Sequence, residues 1–357
     1  MKVLFLYSEL MGYTENMINV LATEFDVDCY VVQWDQKKKT KHEIISKKFK
    51  VIDRSSLTKS SLLDLVLTMK PDLIYVSGWM DKTYLSVVRE AKKSKILIVA
   101  GLDTPWKGSP KQYFASFFLR NFWKNSFDYF WVPGKPQKDY AKKLGFENKT
   151  ISNLYAANTL LFHKAYINSK LEKEGNYPHV LLFVGRLAMI KGIDNLVESF
   201  IDAKKELNSD WKLIVVGNGP LILEIPESSG VECLGFLNQE EIAKLTMKAG
   251  AFCLPSLYEP WGVVIHEAAA AGLPLLLSKN CGAGDQFLEE GSNGLSFNPV
   301  GSLELTEGLK SIMGKDDLEL IEMGSRSYDL SQKISPFSSA ASLISVLDYR
   351  VTHLGHN

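Results

Sequence analysis

The sequence is poor in cysteine. Its 357 residues hold four (Cys29, Cys233, Cys253 and Cys281), with no C-x-x-C pair and no metal-ligand spacing. That excludes a disulfide framework and suits a reducing cytoplasm. Long apolar runs are missing as well. No stretch approaches the ~20 residues of a membrane-spanning helix. The first run, ending at Tyr7 of MKVLFLYSELMG, is too short for the apolar part of a secretion signal and reads as a buried strand. Internal repeats and low-complexity tracts are absent, which leaves out solenoids and arrays. Net charge is zero, with 41 Lys+Arg against 41 Asp+Glu, but the average hides a division. Met1 to Lys170 carries 27 basic and 16 acidic residues, a net +11, and the remainder carries 14 against 25, a net −11. A basic N-terminal half suggests an anionic partner for that half. The expected location is the cytoplasm, at most peripheral at the inner face of a membrane.

What is present is strand-helix alternation. In the first half, apolar runs at Val3–Tyr7, Cys29–Gln33, Leu73–Ser77, Ile96–Ala100 and Tyr129–Val132 are separated by helix-length segments. In the second half the runs are Val180–Val184, Leu213–Val216, Ala251–Leu254, Pro274–Leu277 and Leu295–Phe297. Val/Ile/Leu-rich strands alternating with helices predict parallel sheets covered on both faces. The length predicts two domains. The polar stretch Tyr166–Pro178 reads as the linker, giving domains at 1–170 and 178–335, with a helix about 336–357 after them. The fold class is α/β, two Rossmann-like doubly wound domains across a cleft, with ligand expected at the carboxyl ends of the strands.

Three junctions carry chemistry. FVGRLAMIKGID, Phe183–Asp194, leaves a strand through Gly185 and places Arg186 and Lys191 around a short loop. Two cations there suit a diphosphate, Arg binding it bidentately and Lys as a point charge. The Walker order is absent. VGNGP, Val216–Pro220, has Gly217 and Gly219 at a second junction, where they let backbone approach a ligand closely, but the third glycine of the dinucleotide fingerprint is absent, so taken alone a simple tight turn is the favoured reading. LGFL, ending at Leu237, offers backbone groups to a base edge or is simply core. In SLYEPWGVVIHEAAAAGLP, Ser256–Pro274, a helix begins near Gly262 and Val263, and its free N–H groups favour a phosphate. Glu259 and Glu267 flank that start; carboxylates accept hydrogen bonds from sugar hydroxyls.

Together, Gly185-Arg186, Lys191-Gly192, Gly217-x-Gly219-Pro220 and Glu259-Pro-Trp-Gly262 with Glu267 resemble the donor site of family 4 retaining glycosyltransferases of the GT-B fold. The likeness covers most of the C-terminal half, through SNGLSFNP at Ser292–Pro299. It implies a hexosyltransferase of the surface-polysaccharide or lipopolysaccharide type. The donor is a UDP- or GDP-sugar and the acceptor a hydroxyl of a glycan or lipid-linked glycan. Arg186 and Lys191 would hold the diphosphate, Glu259 the transferred sugar and Glu267 the ribose, with backbone N–H groups at Gly262 and Val263 assisting. It also implies that the last helix returns to the N-terminal domain. No metal, no other cofactor and no nucleic acid are expected. A nucleotide-sugar epimerase and a non-catalytic sugar-nucleotide-binding partner remain alternatives.

The N-terminal half resembles the family less. Gly12, in SELMGYTEN, stands alone where relatives have a glycine-rich loop. AGLDTPWKGS has Asp103 and Trp106 where many relatives carry a histidine, so Asp103 is the candidate for positioning or deprotonating the acceptor, or else a helix cap. Tyr13 and Trp79 are further acceptor-side candidates. Asp26-Val27-Asp28 reads as the start of a strand, not a metal-binding D-x-D. In Gln112–Trp131, Phe114, Phe118 and Phe122 recur every four residues, which predicts a core-facing stripe. Lys107, Lys111, Arg120 and Lys124 interleave with them, the pattern of a membrane-surface helix. Lys37–Lys39, Lys41, Lys47, Lys48 and Lys50 add a basic patch.

Overall fold

The computed structural model describes residues 1–34, 48–118, 120–221 and 229–354, with side chains described as far as residue 347. Lys37–Lys39, Lys41 and Lys47 of the basic patch lie outside the described residues. The chain forms two units: Met1–Ala156 with Ile334–Asn357, and Ala157–Lys333.

The first unit is built on seven parallel strands: β1 (Lys2–Tyr7), β2 (Asp28–Gln33), β3 (Lys50–Asp53), β4 (Leu73–Val76), β5 (Leu97–Gly101), β6 (Tyr129–Trp131) and β7 (Thr150–Ile151). Their order is β3-β2-β1-β4-β5-β6-β7. Side chains alternate across the sheet and fill a core on each face. Leu4, Leu6, Val32, Ile74 and Ile98 go to one, and Val3, Phe5, Tyr7, Val31 and Val99 to the other. The second face is closed partly by the C-terminal helix Pro336–Leu354, through buried Ala340, Leu343 and Val346. Phe337 of that helix lies 4.9 Å, ring to ring, from Phe25.

The second unit holds six parallel strands: β8 (Val180–Val184), β9 (Lys212–Val216), β10 (Val231–Gly235), β11 (Ala251–Leu254), β12 (Leu275–Ser278) and β13 (Gly294–Phe297), ordered β10-β9-β8-β11-β12-β13. The order reverses between β8 and β11, which makes the carboxyl ends of these two strands the switch point of the sheet.

The linker expected at Tyr166–Pro178 is instead mostly the end of the helix Thr159–Gly175. Its polarity misleads. Tyr166 stacks on Tyr328 at 4.3 Å, Ser169 is buried, and the buried Lys173 Nζ donates to Thr246 O at 3.2 Å. Burial pulls the Lys173 ammonium down to about 8. The chain divides earlier, between Ala156 and Ala157.

The stripe Phe114, Phe118 and Phe122 is not core. Phe114 and Phe118 are each 61% exposed, and Phe122 is only partly buried. Period-four spacing identifies a helical face without saying which way the face points.

Candidate functional site

The loops leaving β8 and β11 meet at the switch point of the second sheet. Leu257 N donates to Ile190 O at 2.9 Å, joining them directly. Lys191 ends a short 3-10 turn, Met189–Lys191, and Gly192 then takes φ +64 to start the helix Ile193–Leu207. A Cβ on Gly192 would stand 2.4 Å from Pro255 O, so only glycine lets the two loops touch.

The β11 loop is tied on its other side as well. Glu259 N donates to Asn280 O at 3.2 Å, Gly282 N to Glu259 O at 3.0 Å, and Ala283 N to Trp261 O at 2.9 Å. These bonds hold Glu259 beside Gly262, which caps the helix Val263–Ala270 at φ +94. A Cβ there would lie 3.0 Å from Glu259 Cγ, so the Glu259 side chain passes directly over the helix start. Its Oε2 accepts an ion pair from Lys191 Nζ. The structure therefore brings Lys191, Glu259, Gly262 and Val263 together. The helix contributes unpaired N–H groups and positive dipole at the same point.

Arg186 is exposed on the β8 loop and forms no ion pair among the described residues. Gly185 N donates to Val216 O at 2.9 Å, and Leu187 N to Asn218 O at 3.1 Å, so the β8 and β9 exits lie backbone to backbone. A Cβ on Gly217 would fall 1.8 Å from Gly185 O, and one on Gly219 1.9 Å from Leu187 O. Both glycines serve close chain approach, more than the plain tight turn that the motif taken alone favoured.

Glu267 sits on the second turn of the helix and accepts from Gln239 Nε2 at 2.8 Å. Burial pushes its carboxyl up, and the Gln239 bond partly offsets this. Gln239 opens a helix two residues after Leu237, so it brings the Leu237 loop to Glu267. The sequence reading missed Gln239; the capping box Asn238-x-x-Glu241, which fixes where its helix begins, was the available signal.

In the first unit, Gly12 opens the helix Gly12–Glu24 directly after the β1 exit. Tyr13 packs edge-on to Tyr155, ring centroids 5.2 Å apart. The exposed Asp103 carboxylate, just past β5, reaches the Tyr155 hydroxyl. Burial, then Tyr13 and Asp103, hold that phenol far above its ordinary range, so it stays a proton donor. Tyr155 is a second residue the sequence reading missed. Trp79 and Trp106 are partly buried and pack onto the core of the first unit. Trp79 lies 5.0 Å from Trp123, and Trp106 lies 4.9 Å from Tyr113 and 5.5 Å from Tyr140, both against the same core. Asp28 opens β2, and among the described residues no cluster of three His, Cys, Asp or Glu could hold a metal.

Known structures share this architecture. The chain matches HepE of Anabaena, solved with UDP, at a TM-score of 0.75 and 18% identity over 98% of this chain and 100% of that one. It matches sucrose-phosphate synthase of Thermosynechococcus elongatus at 0.72 and 16%, over 99% of both. The protein thus has the two-domain GT-B fold, two parallel-sheet α/β domains. Residues 145–324, about half of the chain, match the family of glycosyl transferases group 1, and the chain belongs to that family. An uncharacterised glycosyltransferase of Methanocaldococcus jannaschii is 27% identical over 183 residues, 49% of this chain and 46% of that protein. The alpha-monoglucosyldiacylglycerol synthase of Acholeplasma laidlawii is 30% identical over 165 residues, 44% and 40% respectively. The chain spans about half the length of the curated relatives it matches or less.

Proposed function

We propose that this protein transfers a hexose, with retention, from a UDP- or GDP-sugar to a hydroxyl of a glycan or lipid-linked glycan, as a family 4 enzyme of surface-polysaccharide or lipopolysaccharide assembly. The second unit takes the donor, and the first unit, with its C-terminal helix, takes the acceptor. The observation that carries this is the Lys191–Glu259 pair lying over the helix start at Gly262. A cation, an acid and a row of free N–H groups meet where a parallel sheet binds nucleotides. UDP in the solved HepE and the lipid product in the name of the Acholeplasma synthase support the donor and acceptor classes.

As the bond from sugar to diphosphate breaks, negative charge gathers on the leaving phosphate. Arg186, Lys191 and the Gly262–Val263 amides are set to receive it, so the step needs no metal. Glu259 contacts the transferred sugar, and Glu267 accepts from the ribose hydroxyls. Gly185, Gly217 and Gly219 give the diphosphate backbone access, and Leu237 borders the base. The departing phosphate oxygen takes the acceptor proton on the same face, while Asp103, with Tyr13 and Tyr155 beside it, orients the acceptor hydroxyl.

The test is donor-dependent stabilisation and turnover. A panel of UDP- and GDP-sugars is expected to raise the melting temperature with one member. That member should release its nucleoside diphosphate slowly in water and faster with acceptor. Arg186→Ala should slow release by roughly 10²–10³. Unchanged release in that variant would overturn the site, and a free altered sugar nucleotide without acceptor would favour an epimerase.

A further inference from the structure

The helix Pro110–Phe118 is inside out. Its protein-facing side is polar and small. Gln112 is buried, its Nε2 donating to Pro105 O at 2.8 Å and its Oε1 accepting from Lys107 N at 2.7 Å. Its outward side is aromatic: Tyr113, Phe114, Phe117 and Phe118 are 57%, 61%, 79% and 61% exposed. At 100° per residue these four cover one continuous arc. The rings touch each other, Phe114 to Phe118 at 4.3 Å and Phe117 to Phe118 at 5.0 Å. A helix bound only by water and its own core would be turned the other way.

The surroundings are basic. Lys111 is exposed on the edge of the aromatic arc, and Arg120 and Lys124 are exposed on the next short helix, Arg120–Lys124. Phe122 of that helix lines a hollow of about 360 Å³ together with Lys82, Arg89 and Lys93, the last paired with Glu90 at 2.9 Å. Arg89 lies over the Phe122 ring at 4.3 Å. Aromatic rings rimmed by Lys and Arg match a bilayer interface, where rings enter the acyl boundary and cations meet anionic headgroups. A second copy of this chain would bring the same cations against each other.

We propose that the Tyr113–Phe118 face docks the first unit onto an anionic lipid bilayer, with Phe117 and Phe118 inserting and Lys111, Arg120 and Lys124 meeting lipid phosphates. The inference deepens the proposed function, since it supplies the surface on which a lipid-linked acceptor would be met.

Phosphatidylcholine vesicles with and without phosphatidylglycerol, sedimented with the full chain, test it. Binding is expected to the anionic vesicles and to weaken with salt, since screening sets in within about 10 Å at ordinary ionic strength. Phe117→Ser/Phe118→Ser should weaken it roughly 10- to 100-fold, and Lys111→Glu about tenfold. Both variants change exposed residues, and an unaltered melting temperature confirms their folding. Vesicle binding absent in the wild type, or unaffected by the double serine variant, overturns the proposal. So does a self-associated species that the double variant dissociates in the absence of vesicle binding. Donor-induced stabilisation is scored on the same protein. Donor response without vesicle binding removes the docking surface alone, and the reverse removes the proposed function alone.

Discussion

Lys191 and Glu259 stand 68 residues apart and share an ion pair at the switch point of the second sheet. Their side chains are 22% and 13% exposed, so the pair is largely shielded from salt and water. A diphosphate bound as proposed would therefore compete with Glu259 for the ammonium. Glu259→Gln keeps the shape and removes the competitor. UDP or GDP binding is expected to tighten roughly three- to tenfold, while transfer slows by roughly 10²–10³. Calorimetry and single-turnover kinetics read the two separately. Loss of affinity in this variant would count against the competition.

Gly217 and Gly291 both have positive φ, +135 and +72, but differ in their surroundings. An alanine at 217 would press into Gly185 O, whereas one at 291 meets nothing within 4 Å. Gly217→Ala is expected to cost about 3 kcal/mol or more, and Gly291→Ala about 1 kcal/mol. Urea unfolding of the two variants gives the comparison, and equal costs would mean that the β8–β9 contact is not tight.

Glu267 has its carboxyl raised by burial, against the bond from Gln239. A carboxyl raised in the folded state holds its proton more firmly there than in the unfolded chain. Its contribution to stability therefore falls as pH rises from the ordinary carboxylate range through the raised value. With Glu267 on the ribose as proposed, donor binding would run the opposite way, because only the carboxylate accepts from both ribose hydroxyls. Nucleotide affinity is expected to climb with pH across that window, and Glu267→Gln should flatten the profile at low affinity. A wild-type profile already flat through the window would remove Glu267 from the ribose.

Tyr155→Phe deletes the hydroxyl that Asp103 faces and leaves the ring packing with Tyr13 in place. The acceptor KM is expected to rise and kcat to fall about tenfold, with donor-induced stabilisation unchanged. A purely structural Tyr155 would lower the melting temperature and leave the acceptor KM alone.

Much of this was legible in the sequence where chemistry is local. Ten strands appear as apolar runs because parallel strands are buried on both faces, and the Arg186–Lys191 and Glu259–Glu267 segments fall at strand exits as spacing alone suggested. β3 and β10 are edge strands with mostly exposed residues, so their composition carries little signal. The domain boundary was misplaced because Lys173 is charged in sequence but buried in space. The pairings of Gln239 with Glu267 and Tyr155 with Asp103 were out of reach, since each joins segments that only the sheet order brings together.

His266 stands one residue before Glu267, fully buried on the same helix. Its Nδ1 accepts from Ala157 N at 3.0 Å, which leaves the proton on Nε2 to donate to Ser331 O at 2.9 Å. Ala157 is where the chain crosses into the second unit, and Ser331 lies two residues before it leaves. One neutral imidazole thus clasps both ends of that unit's backbone to the helix Val263–Ala270. The ring gives the helix a mechanical anchor: any tilt of its N-terminal end must pull on the two threads that tether the unit to the rest of the molecule.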